Sequence, residues 1–377
     1  MKDNNNLKEI NIAINKFESK KQGGEINLLV SGGAGFIGSC LIRRLLNDSK
    51  FKIFSIDKLG YASDLNRIFD HIEAFSRAKN LEVDLSNLEA TNKAVMESDP
   101  DLVIHLAAES HVDRSIENPL NFIDSNIIGT YNLLQSVRCH WNKLSSERKK
   151  NFRFHHVSTD EVFGSLNDNN LFSEISPYKP RSPYAASKAS SDHLVRAWLY
   201  TYGLPVVITN CSNNFGPWQF PEKLIPLSII KGINKEPIPL YGDGNNIRDW
   251  IYVEDHIDAL ILCALNGQIG ETYCIGASNE YKNIEIIEFI CNELDKKISY
   301  KRPHSSLITK VQDRPGHDYR YAINPEKIKN ELSWEPRYEF KEALSETVDW
   351  YLENLDWCKV ISQNSNYKGD RIGINGV

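Results

Sequence analysis

The chain has 377 residues, of which 41% are hydrophobic and 25% charged, as in an ordinary globular protein with one large or two smaller domains. Its formal net charge of −6 argues against a partner such as nucleic acid or an anionic membrane. There is no run of about eighteen apolar residues, and the first segment lacks the apolar stretch of a signal peptide, so we expect a cytoplasmic protein. The seven cysteines are scattered without paired or metal-ligand spacing, and we predict neither disulfides nor a metal site.

Short apolar runs alternate with helix-length segments from Glu25 onward. The predicted strands are, in order, INLLV, FKIFSID, LEVDL, DLVIHLA, FRFHHVS and VVITN. Predicted helices include FIGSCLIRRLLN after the first strand and SPYAASKASSDHLVRAWLYTYG before the last. Short strands joined by helical crossovers indicate βαβ units and a parallel sheet. The sequence therefore predicts an α/β fold, a Rossmann-type doubly wound parallel sheet that forms a cofactor-binding domain over about 26–210.

Beyond Cys211 five prolines break this alternation, which favours a smaller C-terminal α/β lobe that binds substrate. We predict this lobe over 211–357 and leave room for the chain to cross back between the two domains. Its expected elements are the strand TYCIG and helices near 253–265, 283–295 and 341–355. Residues 1–25 are predicted to form a polar extension outside the core, and residues 358–377 a tail without a usable pattern.

A glycine-rich turn follows the first predicted strand. Gly32, Gly35 and Gly38, with Phe36 and Ile37 between the last two, have G-x-x-G-x-x-G spacing. A side chain at such a turn would block a pyrophosphate from the backbone N–H groups at the helix N-terminus. A plain tight turn would have the same glycines, so the residues around it decide the interpretation.

Two acidic residues support a dinucleotide at this turn. Asp57 ends the second predicted strand, where a carboxylate accepts hydrogen bonds from the adenosine ribose and repels the extra phosphate of NADP. We predict NAD as the cofactor, although Lys58 weakens that preference. Asp84 is placed either to meet the adenine or to cap the next helix.

Tyr184 and Lys188 form Y-x-x-x-K, a spacing that puts both side chains on one face of a helix. An ammonium beside a phenol favours the phenolate, which removes a proton from a sugar hydroxyl. Such a pair also occurs by chance on helix surfaces. Here it follows a dinucleotide turn and the strand HHVS, and this combination resembles the extended short-chain dehydrogenase/reductase superfamily, whose NAD lies against such a pair.

Asp160 and Glu161 are adjacent carboxylates directly after the fifth predicted strand. Either could cap a turn, but two neighbouring carboxylates repel each other, and a structural purpose for both is hard to find. A 4-keto hexose has an acidic C5 proton and a C6 hydroxyl that leaves when it is protonated. One base and one acid are needed for these two steps, which the pair supplies.

Six long segments resemble the dTDP-glucose 4,6-dehydratase family over about 26–350. They are LAAESHVDRS (106–115), STDEVFG (158–164), SPYAASKASSDHLVRAW (182–198), TNCSNNFGPWQFPEKLIPL (209–227), YGDGNNIRDWIYVEDH (241–256) and DRPGHDYRYAI (313–323). The resemblance implies a lyase that converts dTDP-glucose to dTDP-4-keto-6-deoxyglucose and water, with tightly bound NAD. C4 is oxidised, water leaves across C5–C6, and the hydride returns to C6. Deoxysugar synthesis, as in the dTDP-rhamnose pathway, is the implied context.

The resemblance also implies a role for each catalytic residue. Tyr184 is then the base at the C4 hydroxyl, and Lys188 tunes it and holds the nicotinamide ribose. Thr159 hydrogen-bonds the C4 oxygen, while Asp160 is the acid at C6 and Glu161 the base at C5. A homodimer formed through helices 119–140 and 183–202 is implied as well.

Two larger sets of residues are predicted to bind the ligands. The predicted cofactor set is Gly32, Gly35, Phe36, Ile37, Gly38, Asp57, Lys58, Leu59, Asp84, Leu85, Leu106, Ala107, Ala108, Ser125, Tyr184, Lys188 and Asn214. The predicted substrate set is Ser110, Thr159, Asn213, Lys223, Leu224, Pro239, Tyr241, Arg248, Asn283, Asp313 and His317. Arg248 and Lys223 suit a diphosphate by charge, although outside this context each would be read as part of a surface salt bridge.

Several alternatives remain. A UDP-hexose 4-epimerase or UDP-glucuronate decarboxylase shares the scaffold and oxidises C4 but needs no acid at C6, so the pair Asp160–Glu161 speaks against both. A non-catalytic sensor of NAD and sugar nucleotides would not need Tyr184 and Lys188. The preference for thymine as the nucleotide base rests on resemblance alone.

Overall fold

The computed structural model describes residues 5–21, 24–69, 74–167 and 169–365. The strands are β1 Asn27–Ser31, β2 Lys52–Asp57, β3 Ala78–Glu82, β4 Leu102–His105, β5 Arg153–Thr159, β6 Val206–Cys211, β7 Asn213–Phe215, β8 Ile238–Tyr241, β9 Ile247–Tyr252, β10 Thr272–Ile275, β11 Glu280–Lys282 and β12 Ile308–Val311. The α-helices up to the middle of the chain are α1 Asn5–Glu18, α2 Phe36–Asp48, α3 Asn66–Phe69, α4 Ala74–Arg77, α5 Leu88–Ser98, α6 Val112–Glu117, α7 Pro119–Phe122, α8 Gly129–Lys143 and α9 Ser146–Asn151.

The remaining α-helices are α10 Pro183–Tyr202, α11 Leu224–Ile233, α12 Val253–Asn266, α13 Asn283–Lys297, α14 Glu326–Leu332, α15 Phe340–Glu353 and α16 Leu355–Asn364. A π-helical segment, Ile123–Ile128, joins α7 to α8, and 3₁₀ turns occur at Asp160–Phe163 and His304–Leu307.

The main sheet has seven parallel strands in the order β10-β6-β5-β4-β1-β2-β3. The order runs outward in both directions from β1, which is the doubly wound arrangement with helices on both faces. The predicted fold class is confirmed. The third strand lies earlier than predicted, because β3 ends at Glu82 and leaves Asp84 in the following loop.

Successive residues of the central strands pack into two different hydrophobic cores, one on each face of the sheet. Leu28 and Val30 point into a core that α1, α2 and α12 cover, whereas Leu29 between them packs under α5, α8 and α10. Side chains alternate between the faces of a strand, and a parallel sheet covered on both faces reads as a continuous apolar run. That is why INLLV shows no polar alternation.

The smaller lobe consists of two short sheets and the helices around them. Its three-stranded sheet has the order β11-β9-β7, and β8 pairs with β12 in parallel. The chain crosses back within the range that we assigned to the lobe, because α12 packs on α2 and β10 then joins the main sheet next to β6. The domain boundaries therefore stay a prediction, with 253–275 belonging spatially to the sheet domain.

The N-terminal segment does not lie outside the core as we expected. Helix α1 contacts α12, and the side chains of Ile10, Ala13, Ile14 and Phe17 are at most 2% exposed. Their spacing is i, i+3, i+4 and i+7, so one apolar stripe faces the protein although the segment is polar on average. Residues 1–4, 22 and 23 lie outside the described part.

The C-terminal region also differs from the expectation. Helix α16 occupies Leu355–Asn364, so part of the predicted tail is helical. Cys358 and Ile361 on this helix are buried. Cys358 belongs to the core of the lobe, together with α11, α13 and α15. The predicted tail thus begins later, and residues 366–377 are outside the described residues.

Candidate active site

The glycine turn has the shape that a dinucleotide requires. Gly32 has a φ of +74°, and a Cβ there would lie 2.7 Å from the backbone nitrogen of Ala107. A Cβ at Gly38 would collide with the carbonyl oxygen of Gly32. Both positions therefore require glycine, and the N-terminus of α2 opens onto the cavity beside them.

Asp57 closes the turn from the end of β2. Its carboxylate accepts hydrogen bonds from the N–H groups of Ala34 at 3.1 Å and Leu59 at 2.9 Å, and from the Ser63 hydroxyl at 2.8 Å. A carboxylate has about four acceptor positions, so one remains for a ligand hydroxyl. Asp84 is exposed and accepts from the N–H of Ser86 at 2.8 Å, while Asn87, not Asp84, caps α5.

A single cavity of about 400 Å³ brings most of the predicted residues together. Of the predicted cofactor set, its walls contain Gly32, Gly35, Phe36, Ile37, Gly38, Asp57, Lys58, Asp84, Leu85, Leu106, Ala107, Ala108, Ser125, Tyr184, Lys188 and Asn214. Of the predicted substrate set, they contain Ser110, Thr159, Asn213, Lys223 and Leu224. Leu59 is not among the wall residues; it has a φ of 53° in the turn that Asp57 holds.

Tyr184 and Lys188 lie one turn apart on α10, which begins with a Ser182 cap and Pro183. The Lys188 ammonium donates to the carbonyl oxygen of Val157 at 2.9 Å. Burial raises the pKa of Tyr184 well above its ordinary value, Glu161 adds to the rise, and a hydrogen bond from Thr159 opposes it. The expected lowering by the ammonium is therefore outweighed by burial. The phenol keeps its proton more firmly than the spacing suggested.

The two carboxylates differ in environment. Asp160 is 1% exposed, and burial followed by the charges of Glu161 and Asp249 raises its pKa well above the ordinary value. Glu161 is half-buried. Burial raises its pKa too, but the cations Arg314, Arg248 and Lys223 oppose the rise. One carboxyl therefore favours its protonated form more strongly than its neighbour.

Three cations lie within electrostatic reach of Glu161. Arg248 donates to the carbonyl oxygen of Asp318 at 2.9 Å and stacks on Tyr321 with its carbon 4.3 Å from the ring centre. Lys223 donates to the carbonyl oxygen of Ser110 at 2.8 Å. This concentration of positive charge next to a cavity suits a diphosphate.

Six predicted substrate residues lie outside the cavity walls, in the neighbouring part of the lobe. They are Pro239, Tyr241, Arg248, Asn283, Asp313 and His317. Pro239 and Tyr241 are on β8, which pairs with β12, and the Asp313 carboxylate contacts the His317 ring at 2.6 Å. Burial lowers the pKa of His317 to about 3, and Arg314 and Arg248 add to this effect.

Several buried polar atoms here have no hydrogen-bond partner among the described residues. They are Oδ2 of Asp160, Oδ1 of Asn213, Oδ1 of Asn283 and Nε of Arg314. Unpaired buried polar groups are costly, and a polar ligand would satisfy them. The site therefore fits a nucleotide sugar beside a dinucleotide.

Comparison with known proteins agrees with this geometry. Residues 29–347 match the family model described as GDP-mannose 4,6 dehydratase. A dTDP-glucose 4,6-dehydratase from Shigella flexneri is 48% identical over 91% of this chain and 99% of its own. The chain belongs to the nucleotide-sugar 4,6-dehydratase family.

Solved structures of dehydratases show the same fold. A dTDP-glucose 4,6-dehydratase from Streptomyces venezuelae, solved with NAD bound, has a TM-score of 0.81 and 39% identity, covering 89% of this chain and 99% of its own. One from Bacillus anthracis, in complex with NAD, has a TM-score of 0.78 and 41% identity over the same shares. The family resemblance drawn from the sequence is confirmed.

The sequence analysis missed some residues of the dehydratase site. Arg314 donates to Asp113 at 3.2 Å, and Tyr241 donates to the same carboxylate at 2.9 Å. Glu222 is buried between Tyr61 and Arg114. Of these, Asp113, Arg114, Glu222 and Arg314 lie in the family segments quoted above, and Tyr61 lies outside them. The resemblance in those segments could therefore have pointed to the first four.

Two further findings concern other kinds of site. Among the residues that the structure describes, no three His, Cys, Asp or Glu side chains are grouped so that they could hold a metal ion. None of the dehydratase's described helices combines the length and the apolar character needed to span a bilayer.

Proposed function

We propose that this dehydratase converts dTDP-glucose to dTDP-4-keto-6-deoxyglucose and water, using bound NAD. The observation that carries the proposal is the placement of Asp160 and Glu161. They follow β5 directly, next to Thr159 and Tyr184 and near three cations. Glu161 lines the cavity that the glycine turn opens onto, whereas the neighbouring Asp160 is buried and is not among the wall residues. An oxidoreductase or epimerase acting at C4 has no use for this second acid–base pair.

The dinucleotide fits the walls formed by the glycine turn, Asp57 and residues 106–108. When bound, NAD accepts a hydride from C4 of the sugar and later returns it to C6. Asp57 holds the adenosine ribose, and Lys188 holds the nicotinamide ribose. Lys58, which contacts Glu109 at 2.7 Å and Ser125 at 2.9 Å, lies across the same part of the cavity.

Oxidation begins with removal of the C4 hydroxyl proton by Tyr184. Tyr184 accepts this proton as the phenolate, which forms by prior loss of the phenol proton to solvent. The raised pKa makes the phenolate less populated but strongly basic. Thr159, whose hydroxyl donates to Asp160 in the structure, hydrogen-bonds the C4 oxygen when the sugar is bound. The buried Lys188 ammonium supplies positive charge one helical turn away.

Elimination then needs a base at C5 and an acid at C6. Glu161, with three cations opposing the rise of its pKa, is the group that accepts the C5 proton. Asp160, fully buried and with a strongly raised pKa, keeps the proton that the leaving C6 hydroxyl takes. The proton from Asp160 leaves as part of water, and the C5 proton stays on Glu161 until the hydride returns.

The diphosphate lies against the positive charges of Lys223, Arg248 and Arg314. The Nε of Arg314 lacks a partner within the described part of the chain, as do the amide oxygens of Asn213 and Asn283. These atoms are the ones that we expect the nucleotide and its sugar to pair with.

A product assay with four donors tests the proposal. The protein is incubated with dTDP-, UDP-, CDP- and GDP-glucose, and the 4-keto-6-deoxy product is measured by its alkali-induced ultraviolet absorbance. We expect product from dTDP-glucose and a much smaller amount from the other three. Absence of product from all four, with nucleotide sugar still bound, would remove the assignment.

We propose further that the enzyme is a cytoplasmic homodimer that serves deoxysugar synthesis, as in the dTDP-rhamnose pathway. Support for the dimer comes from helices 119–140 and 183–202, which carry the exposed apolar side chains Leu120, Ile123, Ile128, Tyr131 and Tyr202. Light scattering should give twice the chain mass, and a monomeric mass would contradict the dimer. Variation of a single residue, Tyr131→Asp, should shift the mass toward that of one chain.

A further inference from the structure

The buried carboxylate of Glu222 contacts residues next to both the expected dinucleotide site and the expected nucleotide-sugar site. It precedes Lys223 in the segment between β7 and α11, and its side chain is only 2% exposed. A carboxylate that is taken out of water is costly unless charged or hydrogen-bonding partners replace the water. Its partners therefore matter for what this segment does.

Glu222 is held by two other segments. The Tyr61 hydroxyl donates to its Oε1 at 2.8 Å, and the Arg114 Nε donates to its Oε2 at 3.0 Å. Arg114 also stacks on the Tyr61 ring, 3.9 Å from its centre. Tyr61, Arg114 and Glu222 thus form one closed cluster, called here the Glu222 cluster.

The members of the Glu222 cluster come from three different segments, and Tyr61 and Glu222 line the cavity. Tyr61 is in the loop after β2, which Asp57 holds through Leu59 and Ser63 beside the dinucleotide cavity. Arg114 is on α6, which starts directly after Ser110 and His111.

Glu222 lies in the segment that forms the wall next to the expected nucleotide-sugar site. Lys223 follows it and donates back to the carbonyl oxygen of Ser110 at 2.8 Å. Phe220, two residues earlier, packs edge-on against Tyr61 with 5.3 Å between ring centres. A movement of the segment around Lys223 is therefore transmitted to the loop that Asp57 holds.

We infer that Glu222 is a positioning residue that couples retention of the dinucleotide to binding of the nucleoside diphosphate. The inference rests on the proposed function, since it assumes which ligand each wall contacts. When a diphosphate attracts Lys223, the Glu222 cluster keeps the Tyr61 loop closed over the dinucleotide. Coupling between two ligands is reciprocal in binding free energy, so each should tighten the binding of the other. For NAD we expect the tighter binding to appear as slower release.

Release of NAD from the holoenzyme tests this coupling without turnover. The dissociation rate of NAD is measured after rapid dilution, with and without dTDP, in the wild type, Tyr61→Phe, Glu222→Gln and the double variant. In the wild type we expect dTDP to slow the release. In Tyr61→Phe the slowing factor should fall by about three- to ten-fold, the range for loss of one hydrogen bond.

The variants are chosen to separate coupling from folding. Tyr61→Phe keeps the ring that Arg114 and Phe220 contact, and thermal melting checks that both variants are folded. The double variant should be little worse than the more affected single variant, because Glu222→Gln weakens the bond that Tyr61→Phe removes. Glu89→Gln and Tyr200→Phe, at exposed positions on α5 and α10, are matched controls with the wild-type slowing factor.

A wild-type slowing factor in both Tyr61→Phe and Glu222→Gln would overturn the inference. If release were also faster by the same factor with and without dTDP, the cluster would only stabilise the fold. If instead the coupling behaves as expected but none of the four nucleotide hexoses is dehydrated, the proposed function fails and the coupling stands.

Discussion

The Thr159 hydroxyl donates to one oxygen of Asp160 at 3.2 Å, and the other oxygen of that carboxyl has no partner in the described part of the protein. An ionised carboxylate with an unpaired oxygen is unfavourable in a buried site, whereas a protonated one needs only an acceptor for its single proton. This relationship supports the proposed roles of Asp160 as the acid and Glu161 as the base.

Asp160→Asn and Glu161→Gln should stop the reaction at different points. Both should lower kcat by about 10²-fold or more, as expected for loss of a general acid or base. In deuterated water, Asp160→Asn should still exchange the C5 hydrogen of the bound sugar, because its base is intact, whereas Glu161→Gln should not. Mass spectrometry of the recovered substrate measures the exchange.

The wild-type enzyme and the exposed-site variant Glu89→Gln are the controls for this comparison. Exchange at C5 in Glu161→Gln at the rate seen in Asp160→Asn would remove Glu161 from the mechanism. Full dehydration by Asp160→Asn would do the same for Asp160.

Tyr184→Phe should abolish oxidation while binding stays nearly intact. The phenol is buried beside Thr159, and its loss removes the group that takes the C4 proton, so kcat should fall by about 10²–10⁴-fold. The Kd for dTDP-glucose should change by less than about ten-fold, since one hydrogen bond is lost. Isothermal titration gives the Kd, and near-ultraviolet absorbance of the reduced nicotinamide reports oxidation. Tyr200→Phe, on the same helix but exposed, is the control; a large rise in Kd for Tyr184→Phe would point to binding instead.

The sequence predicts the parts of this site that depend on short-range patterns. The glycine turn, Asp57 at the end of β2 and the pair Tyr184–Lys188 all lie within one strand, turn or helix. Their mutual positions follow from the rule that the carboxyl ends of parallel strands meet at one edge. The burial of α1 could also have been predicted from the sequence, because Ile10, Ile14 and Phe17 have the spacing of one helix face.

Other features depend on contacts between distant residues. Glu222 and Tyr61 are 161 positions apart, and nothing local marks either of them as a partner of the other. The raised pKa of Tyr184 likewise comes from burial and from Glu161, which lies on a different element, so the spacing to Lys188 alone could not indicate the net direction of the shift. The chain returns to the main sheet at β10, which pairs with β6. Nothing in the segment TYCIG indicates which strand it pairs with.

Acidification should weaken the contribution that three buried histidines make to stability. Burial lowers the pKa of His155 and His256 to about 3 and that of His156 to about 4. Each folded-state pKa lies below the unfolded value of about 6.5, so the unfolded chain binds more protons. The contribution of these histidines to the free energy of unfolding is fully present above about pH 6.5. It falls between about pH 6.5 and about pH 3–4 by roughly 1.4 kcal/mol per pH unit for each histidine.

Urea unfolding between pH 7 and pH 4.5 measures this slope. His256→Gln should reduce the slope by about one proton, because it removes one group that titrates in this range. The ring contacts the Asn214 side chain at 2.8 Å. His193→Gln, at an exposed position on α10, is the control. The same slope in wild type and His256→Gln would show that His256 takes no part.

Helix α1 should contribute measurably to stability although it was predicted to lie outside the core. Phe17 is 2% exposed and packs edge-on against Phe51 with 6.3 Å between ring centres. Phe17→Ala should therefore lower the free energy of unfolding by about 3 kcal/mol, the range for a buried phenylalanine, and urea denaturation measures it. Ile12→Ala on the same helix is the matched control, because Ile12 is 48% exposed and its loss should cost under about 1 kcal/mol. Equal effects of the two substitutions would mean that α1 does not dock on α12 in solution.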